Sequence, residues 1–275
     1  MKLISKLLIS SLLFFTFSSH ALEEPLGSES IADGDRYIEQ LAKDRAAGKI
    51  HMDKGIEKSW EQSIVFIPGN SWQKSIMRLQ LDKKYPVVIY LHGCGGITRW
   101  NDIRWGQFIS ELGFVAILPD SFARPGRVSN CDPSAQLPTF RFPMAIPYRE
   151  QEIAYAMNEL KKLPWVDTKN IYFMGHSEGA NTLARTQIEG IRGIVLSSGF
   201  CFTGISFEQG VPGLVITFTD DPWHRGAKSR CAEGRPDGSL TAINFPGAGH
   251  DTFDQAEARQ GVSKFLLDLS GLKPH

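Results

Sequence analysis

The chain has 275 residues, of which 42% are hydrophobic and 22% are charged, a balance typical of a globular protein with a substantial core. Thirty basic and thirty acidic residues give a formal net charge of zero. A general electrostatic attraction to nucleic acid or to anionic lipid is therefore not expected.

Residues 1–21 have the pattern of an export signal. Two lysines precede an apolar run from Leu7 to Phe17, and small residues come before an expected cleavage after Ala21. The run is short for a helix that spans a bilayer, so an uncleaved anchor is the less favoured alternative. We expect a mature chain that begins near Leu22, a periplasmic or secreted location, and no membrane association once the signal is removed.

Residues 22–61 form a predicted helical extension, in which apolar side chains recur at helical spacing between Asp35 and Ala47. From residue 62 the pattern changes to short apolar runs separated by turns, which predicts one domain over residues 62–275. Its first two runs, SIVFIP (63–68) and SIMRLQL (75–81), predict short strands, the second at an antiparallel edge of a sheet.

Six nearly continuous apolar runs follow, and such strands are typical of a parallel sheet that is buried on both faces. They are PVVIYLHG (86–93), GFVAILPD (113–120), NIYFMGHS (170–177), GIVLSSG (193–199), GLVITFTDD (213–221) and LTAINFPGAGH (240–250). Helical patterns alternate with them at Arg99–Leu112, Tyr148–Leu163, Gly179–Gln187 and Ala256–Leu269. The alternation predicts an α/β fold: a mostly parallel, doubly wound sheet with helices on both faces and a ligand site at the carboxyl edge of the strands.

The stretch IYFMGHSEGA (171–180) joins a predicted strand directly to a predicted helix. Its G-x-S-x-G turn would hold Ser177 in a strained conformation, with the hydroxyl exposed at the amino end of the helix, where peptide dipoles favour developing negative charge. The motif alone occurs by chance, and an ordinary turn is the alternative. Its strand–turn–helix context favours Ser177 as a nucleophile.

A nucleophilic serine needs a general base and an acid that orients it. His250 follows the last predicted strand in a glycine-rich loop and is the favoured base, with a surface-loop histidine as the alternative. Asp220 and Asp221 follow the fifth apolar run, which makes the chain order Ser, Asp, His. We favour Asp220 as the acid and keep Asp221 as the alternative; the other aspartate would cap a turn.

The tetrahedral intermediate of acyl transfer needs hydrogen-bond donors. We expect them to be the backbone N–H groups of Glu178, which follows the serine, and of Cys94 in the HGCGG loop (92–96). Glycines in this loop would let the backbone approach a substrate oxygen closely. A flexible turn with no such role is the alternative.

The four cysteines, Cys94, Cys131, Cys201 and Cys231, form an even set without a CxxC spacing, which favours disulfides over a metal site in an exported protein. Three pairings exist, and we favour Cys94–Cys131 with Cys201–Cys231 because each closes a moderate loop beside a candidate catalytic segment. Free buried thiols are the alternative.

Together, HGCGG, GHSEG, the aspartates after the fifth apolar run and GAGH resemble the α/β-hydrolase fold. YLHGCGG, LGFVAILPDSFARPGR, GHSEGA and FTDDPW are more closely similar to its dienelactone hydrolase-like branch, over roughly residues 62–270. The resemblance implies a monomeric or homodimeric serine hydrolase without a cofactor, and it supports paired cysteines. The namesake enzymes use a cysteine nucleophile, so Ser177 favours a general carboxylic-ester hydrolase, with lactones as a narrower candidate class.

We therefore expect an exported serine esterase that acts on small-molecule esters through an acyl-enzyme. A peptidase or amidase on the same fold and a non-catalytic binding protein that kept the fold are the alternatives. Loop aromatic residues predict an apolar pocket: Trp100, Trp105, Phe122, Phe140, Phe142, Phe200, Phe202 and Trp223. Candidates for contact with an anionic substrate are Arg99, Arg104, Arg124 and Arg127, and the proline-rich residues 129–147 predict a lid or rim.

Overall fold

The computed structural model describes Lys43 and residues 55–127, 129, 131, 145–202, 204–208, 210–224, 228–235 and 237–273. The expected export signal lies outside these residues, as does the predicted helix between Asp35 and Ala47 apart from Lys43, which is helical. The strands are β1 (Ile64–Ile67), β2 (Asn70–Ser75), β3 (Tyr85–Leu91), β4 (Val115–Leu118), β5 (Val166–His176), β6 (Gly193–Ser197), β7 (Gly213–Phe218) and β8 (Leu240–Phe245).

These strands form one sheet in the order β2-β1-β4-β3-β5-β6-β7-β8. Strands β3 to β8 pair in parallel, whereas β1 is antiparallel to both of its neighbours, β2 and β4. Every residue of β4, β6 and β7 is buried, as the continuous apolar runs predict. Strand β8 lies at the edge, so its central residues are partly exposed. The expectation of a mostly parallel sheet is confirmed.

The second predicted strand is wrong in position. The edge strand β2 precedes the SIMRLQL run, and Ile76–Arg78 form a 3-10 turn instead. Side chains three residues apart lie on the same side of such a turn. Ile76 and Leu79 therefore both enter the core, while Met77 between them is exposed. The alternation of apolar side chains that suggested a strand reflects the three-residue spacing of this turn.

Helices cover both faces of the sheet. They are α1 (Ile56–Glu61), α2 (Asp102–Glu111), α3 (Ala145–Leu160), α4 (Glu178–Arg185) and α5 (Ala256–Ser270). Side chains of α1, α3 and α4 join one apolar cluster, which receives Val87, Ile89 and Leu91 from β3. Side chains of α2 and α5 join the other, which receives Val88 and Tyr90. This alternation along β3 confirms the doubly wound arrangement.

Two disulfide bonds close loops at the carboxyl edge of the sheet. Cys94, in the loop after β3, is bonded to Cys131, and Cys201, in the loop after β6, is bonded to Cys231. This is the expected pairing, and all four cysteines take part in it. In the part of the chain that the structure describes, the helices are too short or too polar to span a membrane.

Candidate active site

The turn between β5 and α4 has the conformation that the G-x-S-x-G pattern predicts. Ser177 has a φ of 54° and a ψ of −113°, a combination that costs free energy in any residue other than glycine. A Cβ on Gly175 would lie 2.5 Å from the carbonyl carbon of Gly179, and one on Gly179 would collide with the carbonyl oxygen of Leu91. Only glycine at both positions lets α4 begin so close to β3. The turn presents the partly exposed Ser177 at the sheet edge.

Asp221, not Asp220, contacts His250. The Oδ2 atom of Asp221 lies 2.7 Å from Nδ1 of His250, whereas the exposed Asp220 accepts a hydrogen bond from the hydroxyl of Thr219. Asp221 also caps the 3-10 turn Pro222–His224, because its Oδ1 accepts the N–H of Trp223 at 2.9 Å. One carboxylate thus holds the turn with one oxygen and faces the histidine with the other. The contact with His250 that the sequence led us to expect of Asp220 is made by Asp221.

The His250 loop meets the serine turn. The ring centroids of His250 and His176, the residue before Ser177, are 4.8 Å apart. The Ser198 hydroxyl, at the end of β6, donates to the carbonyl oxygen of His250 at 2.5 Å. Since Nδ1 faces Asp221, the neutral ring carries its hydrogen there and keeps Nε2 as the acceptor, as a general base requires. Burial lowers the pKa of His250, against the opposing effect of the Asp221 hydrogen bond.

Two other histidines, His176 and His224, lie near Ser177 and Asp221, and the side chain of each contacts an aspartate. His176 Nδ1 lies 3.2 Å from the Ser197 hydroxyl, and its Nε2 lies 3.4 Å from Asp251. That contact with His176 lowers the pKa of Asp251. His224 is buried 3.6 Å from the Oδ2 atom that faces His250, and burial lowers its pKa.

The HGCGG loop lies directly against the serine turn. A Cβ added to Gly93 would lie 3.3 Å from the His176 ring and 3.4 Å from the Ser177 Cβ. The N–H of Gly96 donates to the carbonyl oxygen of Gly93 at 3.2 Å, which folds the loop back on itself. Cys94 is therefore carried close to the serine and is held there through its disulfide to Cys131.

Buried arginines lie beneath this loop, and they change the expected role of two residues. Arg127 and Arg149 both bond Oε1 of Glu178, at 2.5 and 2.9 Å, and all three side chains are buried. Arg124 is buried against Glu152. Arg124 and Arg127 are therefore structural ion-pair partners rather than exposed contacts for an anionic substrate. Arg149 is not predicted from the sequence, because its position within a helical pattern carries no signal of a contact across the fold.

The predicted apolar pocket is only partly reproduced. Trp105 is fully buried in the core beside α5 and cannot line a pocket. Trp223 is 38% exposed and its ring lies 5.6 Å from that of His250, and Trp100 is also exposed. Phe140 and Phe142 lie outside the described residues, as does most of the 129–147 segment.

Comparison with known proteins matches this fold and sequence to hydrolases. The model of the dienelactone hydrolase family matches residues 76–209. Est1E from Butyrivibrio proteoclasticus has a TM-score of 0.55 at 14% identity, covering 76% of this chain and 94% of that protein. A dienelactone hydrolase-like promiscuous phosphotriesterase from metagenomic libraries has a TM-score of 0.51 at 17% identity, covering 69% of this chain and 88% of that protein. No curated protein matches the chain significantly.

The sheet order, the serine turn and these structural matches show that the chain has the α/β-hydrolase fold. Among proteins of that fold, the family match confirms the resemblance of the chain to the dienelactone hydrolase branch. The family match also supports ester hydrolysis as the general class of activity.

Proposed function

We propose that the protein is a serine hydrolase that cleaves carboxylic esters of small molecules through an acyl-enzyme. Ser177 is the nucleophile, His250 the general base and Asp221 the orienting acid. The observation that carries the proposal is the 2.7 Å contact between Asp221 and His250 Nδ1, beside a serine held at a positive φ. A buried carboxylate that orients a partly buried imidazole has little use in a protein that only binds.

In the first half of the reaction, the Ser177 oxygen attacks the carbonyl carbon of the ester and its proton passes to Nε2 of His250. The backbone N–H groups of Cys94 and Glu178 donate to the oxygen that becomes negative. The tetrahedral intermediate then expels the alkoxide, which leaves as an alcohol with the proton from His250. In the second half, His250 takes a proton from water, the hydroxide adds to the acyl carbon, and the acid is released as Ser177 recovers its proton.

Esters are favoured over amides as substrates because the solved relatives include esterases. Est1E has also been solved with ferulic acid bound, at a TM-score of 0.56 and 14% identity. In this chain, Trp223 lies beside His250 and offers an exposed aromatic face to the group next to the scissile bond. An aromatic ester therefore belongs among the test substrates, along with simple alkyl esters and lactones.

The proposal is tested by labelling and by a substrate panel. A fluorophosphonate is expected to modify Ser177 stoichiometrically, and labelled protein is expected to lose turnover of p-nitrophenyl acetate and methyl ferulate together. A matched set of peptide anilides separates the alternatives, because a peptidase would cleave these at comparable rates. A binding protein is expected to show no labelling and no ester turnover. The absence of both would therefore overturn the proposal.

The rate is expected to fall on the acid side of neutrality. As a general base, His250 must be neutral, and protonation removes its activity as the pH drops through its pKa. Because burial lowers that pKa, the midpoint of kcat/KM in the free enzyme is expected below the ordinary histidine value of 6.5. A pH series with a soluble ester measures it. A level profile from about pH 4 to pH 8 would contradict the role of His250.

Export is the part of the proposal that concerns location. The pattern of residues 1–21 supports it, and two disulfides are compatible with an oxidising compartment. We propose a periplasmic or secreted enzyme on these grounds.

A further inference from the structure

One buried guanidinium touches both segments that carry the proposed oxyanion donors. Arg149, near the start of α3, donates from Nε to Glu178 Oε1 at 2.9 Å. Its Nη2 donates to the carbonyl oxygen of Gly93 at 3.4 Å and contacts the His92 ring. Gly93 and Cys94 are adjacent in the loop after β3, whereas Glu178 begins α4. Arg149 is therefore a bridge between two elements that are distant in sequence.

An oxyanion hole depends on the relative position of its donors. Here the two N–H groups belong to separate segments, and an error of about 1 Å in such geometry can cost about 100-fold in rate. The Gly93 carbonyl and the Cys94 N–H belong to the same peptide unit, so a hydrogen bond to that oxygen also fixes the orientation of that N–H. The Glu178 side chain is similarly fixed by Arg149 and Arg127, which anchors the first turn of α4.

The charges of the cluster act in the same direction. Arg127 and Arg149 both contact Glu178, and Arg124 contacts Glu152, so three guanidinium groups face two carboxyl groups in a buried cluster beneath the hole. Burial and the nearby Arg149 also hold the pKa of His92 well below its ordinary value, so the ring remains neutral. The neutral ring accepts the N–H of Ser121 at Nε2 and donates from Nδ1 to the Gly93 oxygen at 2.7 Å. Two donors thus meet on that one carbonyl.

We propose that Arg149 is a positioning residue that sets the oxyanion hole, by holding the Gly93–Cys94 peptide and Glu178 in one arrangement. The proposal rests on the proposed function, since it assumes that these N–H groups stabilise a tetrahedral intermediate. Arg149 touches no substrate and acts only through the peptide and the carboxylate that it bonds. Its effect is greatest in the transition state, when the negative charge on the oxygen is largest.

The experiment compares Arg149→Lys with Arg124→Lys. Both arginines are buried, and the described hydrogen bonds of Arg124 go to Tyr148, Gln151 and Glu152 on α3. Arg149→Lys keeps the positive charge but loses the planar guanidinium, whose separate nitrogens bond Glu178 and the Gly93 carbonyl. It is expected to lower kcat by about 10- to 100-fold with little change in KM. The inhibition constant of a boronic acid, whose adduct with Ser177 fills the hole, is expected to rise by a similar factor.

Arg124→Lys is expected to lower the melting temperature while kcat stays within about threefold of wild type. Equal losses of kcat in the two lysine variants would overturn the proposal, as would a wild-type kcat in Arg149→Lys. If Arg149→Lys does not fold, Glu178→Gln replaces it, because it keeps the shape and the backbone N–H. The same selective loss of kcat supports the proposal, and an unchanged kcat overturns it.

A Ser177→Ala control separates the two levels of inference. If that variant is inactive while the Arg149 and Glu178 variants keep the wild-type kcat, only the role of Arg149 fails. If Ser177→Ala itself retains wild-type turnover, the proposed function fails, and the role of Arg149 in an oxyanion hole fails with it.

Discussion

Ser177→Ala is expected to lower kcat for p-nitrophenyl acetate by about 10⁵-fold, the largest effect of any single change, because it removes the oxygen that is proposed to attack the ester. The residual rate would come from the oxyanion donors and from binding. The fold should survive, since both serine and alanine carry a Cβ and face the same strain at a φ of 54°. Initial rates at saturating substrate, with active protein quantified independently, measure the effect.

A second serine serves as the control for this result. Ser110, in α2, is buried and bonds the carbonyl oxygen of Gln107 within its own helix. Ser110→Ala should alter stability by about 1 kcal/mol and leave kcat unchanged. Melting temperatures near wild type in both variants would show that the loss in Ser177→Ala is chemical. More than about a tenth of the wild-type rate in that variant would assign the nucleophile elsewhere.

Asp221→Asn is expected to lower kcat by about 10⁴-fold, whereas Asp220→Asn should change it by less than about threefold. The amide of asparagine can donate to Nδ1 of His250, which stabilises the wrong tautomer and takes away the basic Nε2. Asp220 is exposed, and the described hydrogen bond of its carboxylate comes from the hydroxyl of the neighbouring Thr219 rather than from the ring. The two variants carry the same substitution at adjacent positions, so each is the control for the other.

The comparison of Asp220→Asn with Asp221→Asn also tests whether Asp251 is the acid instead of Asp221. Asp251 lies next to His250 in sequence, but its carboxylate faces His176 at 3.4 Å. A large loss in Asp220→Asn, or equal and small losses in both asparagine variants, would refute the role of Asp221. Measurement of kcat/KM from about pH 5 to pH 9 adds a second criterion, since raising the pH should not restore activity to an enzyme with the wrong tautomer.

Local patterns were enough to predict most of the architecture. A run such as VAIL in β4 is buried on both faces, so all of its residues are apolar and the strand can be predicted from its own sequence. The helices were predicted to within a few residues for the same reason, because apolar spacing along one segment reports the face that it buries. The error at Ile76 and Leu79 arose where a 3-10 turn and a strand place similar demands on a short segment.

The candidate site residues likewise divide into those that a local sequence pattern predicts and those that need the fold. Ser177 and His250 could be proposed because each sits in a local signature, a G-x-S-x-G turn and a glycine-rich loop after a strand. Asp220 and Asp221 share one chemistry at adjacent positions, and only the direction of the chain after β7 decides which carboxylate faces the imidazole. A sequence pattern does not contain that direction.

Patterns in the sequence are sufficient to predict the layered α/β fold and to place a serine and a histidine at the sheet edge, and loop lengths favour the cysteine pairing that the structure has. The fold and the placement of these two side chains follow from the chemistry of short segments, which is complete within a few neighbouring residues. The packed chain is needed to show that Asp221 faces His250, that Arg124 and Arg127 are buried ion-pair partners, and that Arg149 joins Gly93 to Glu178. Those contacts join segments far apart in the chain, and their geometry exists only once β3, α3 and α4 have packed together.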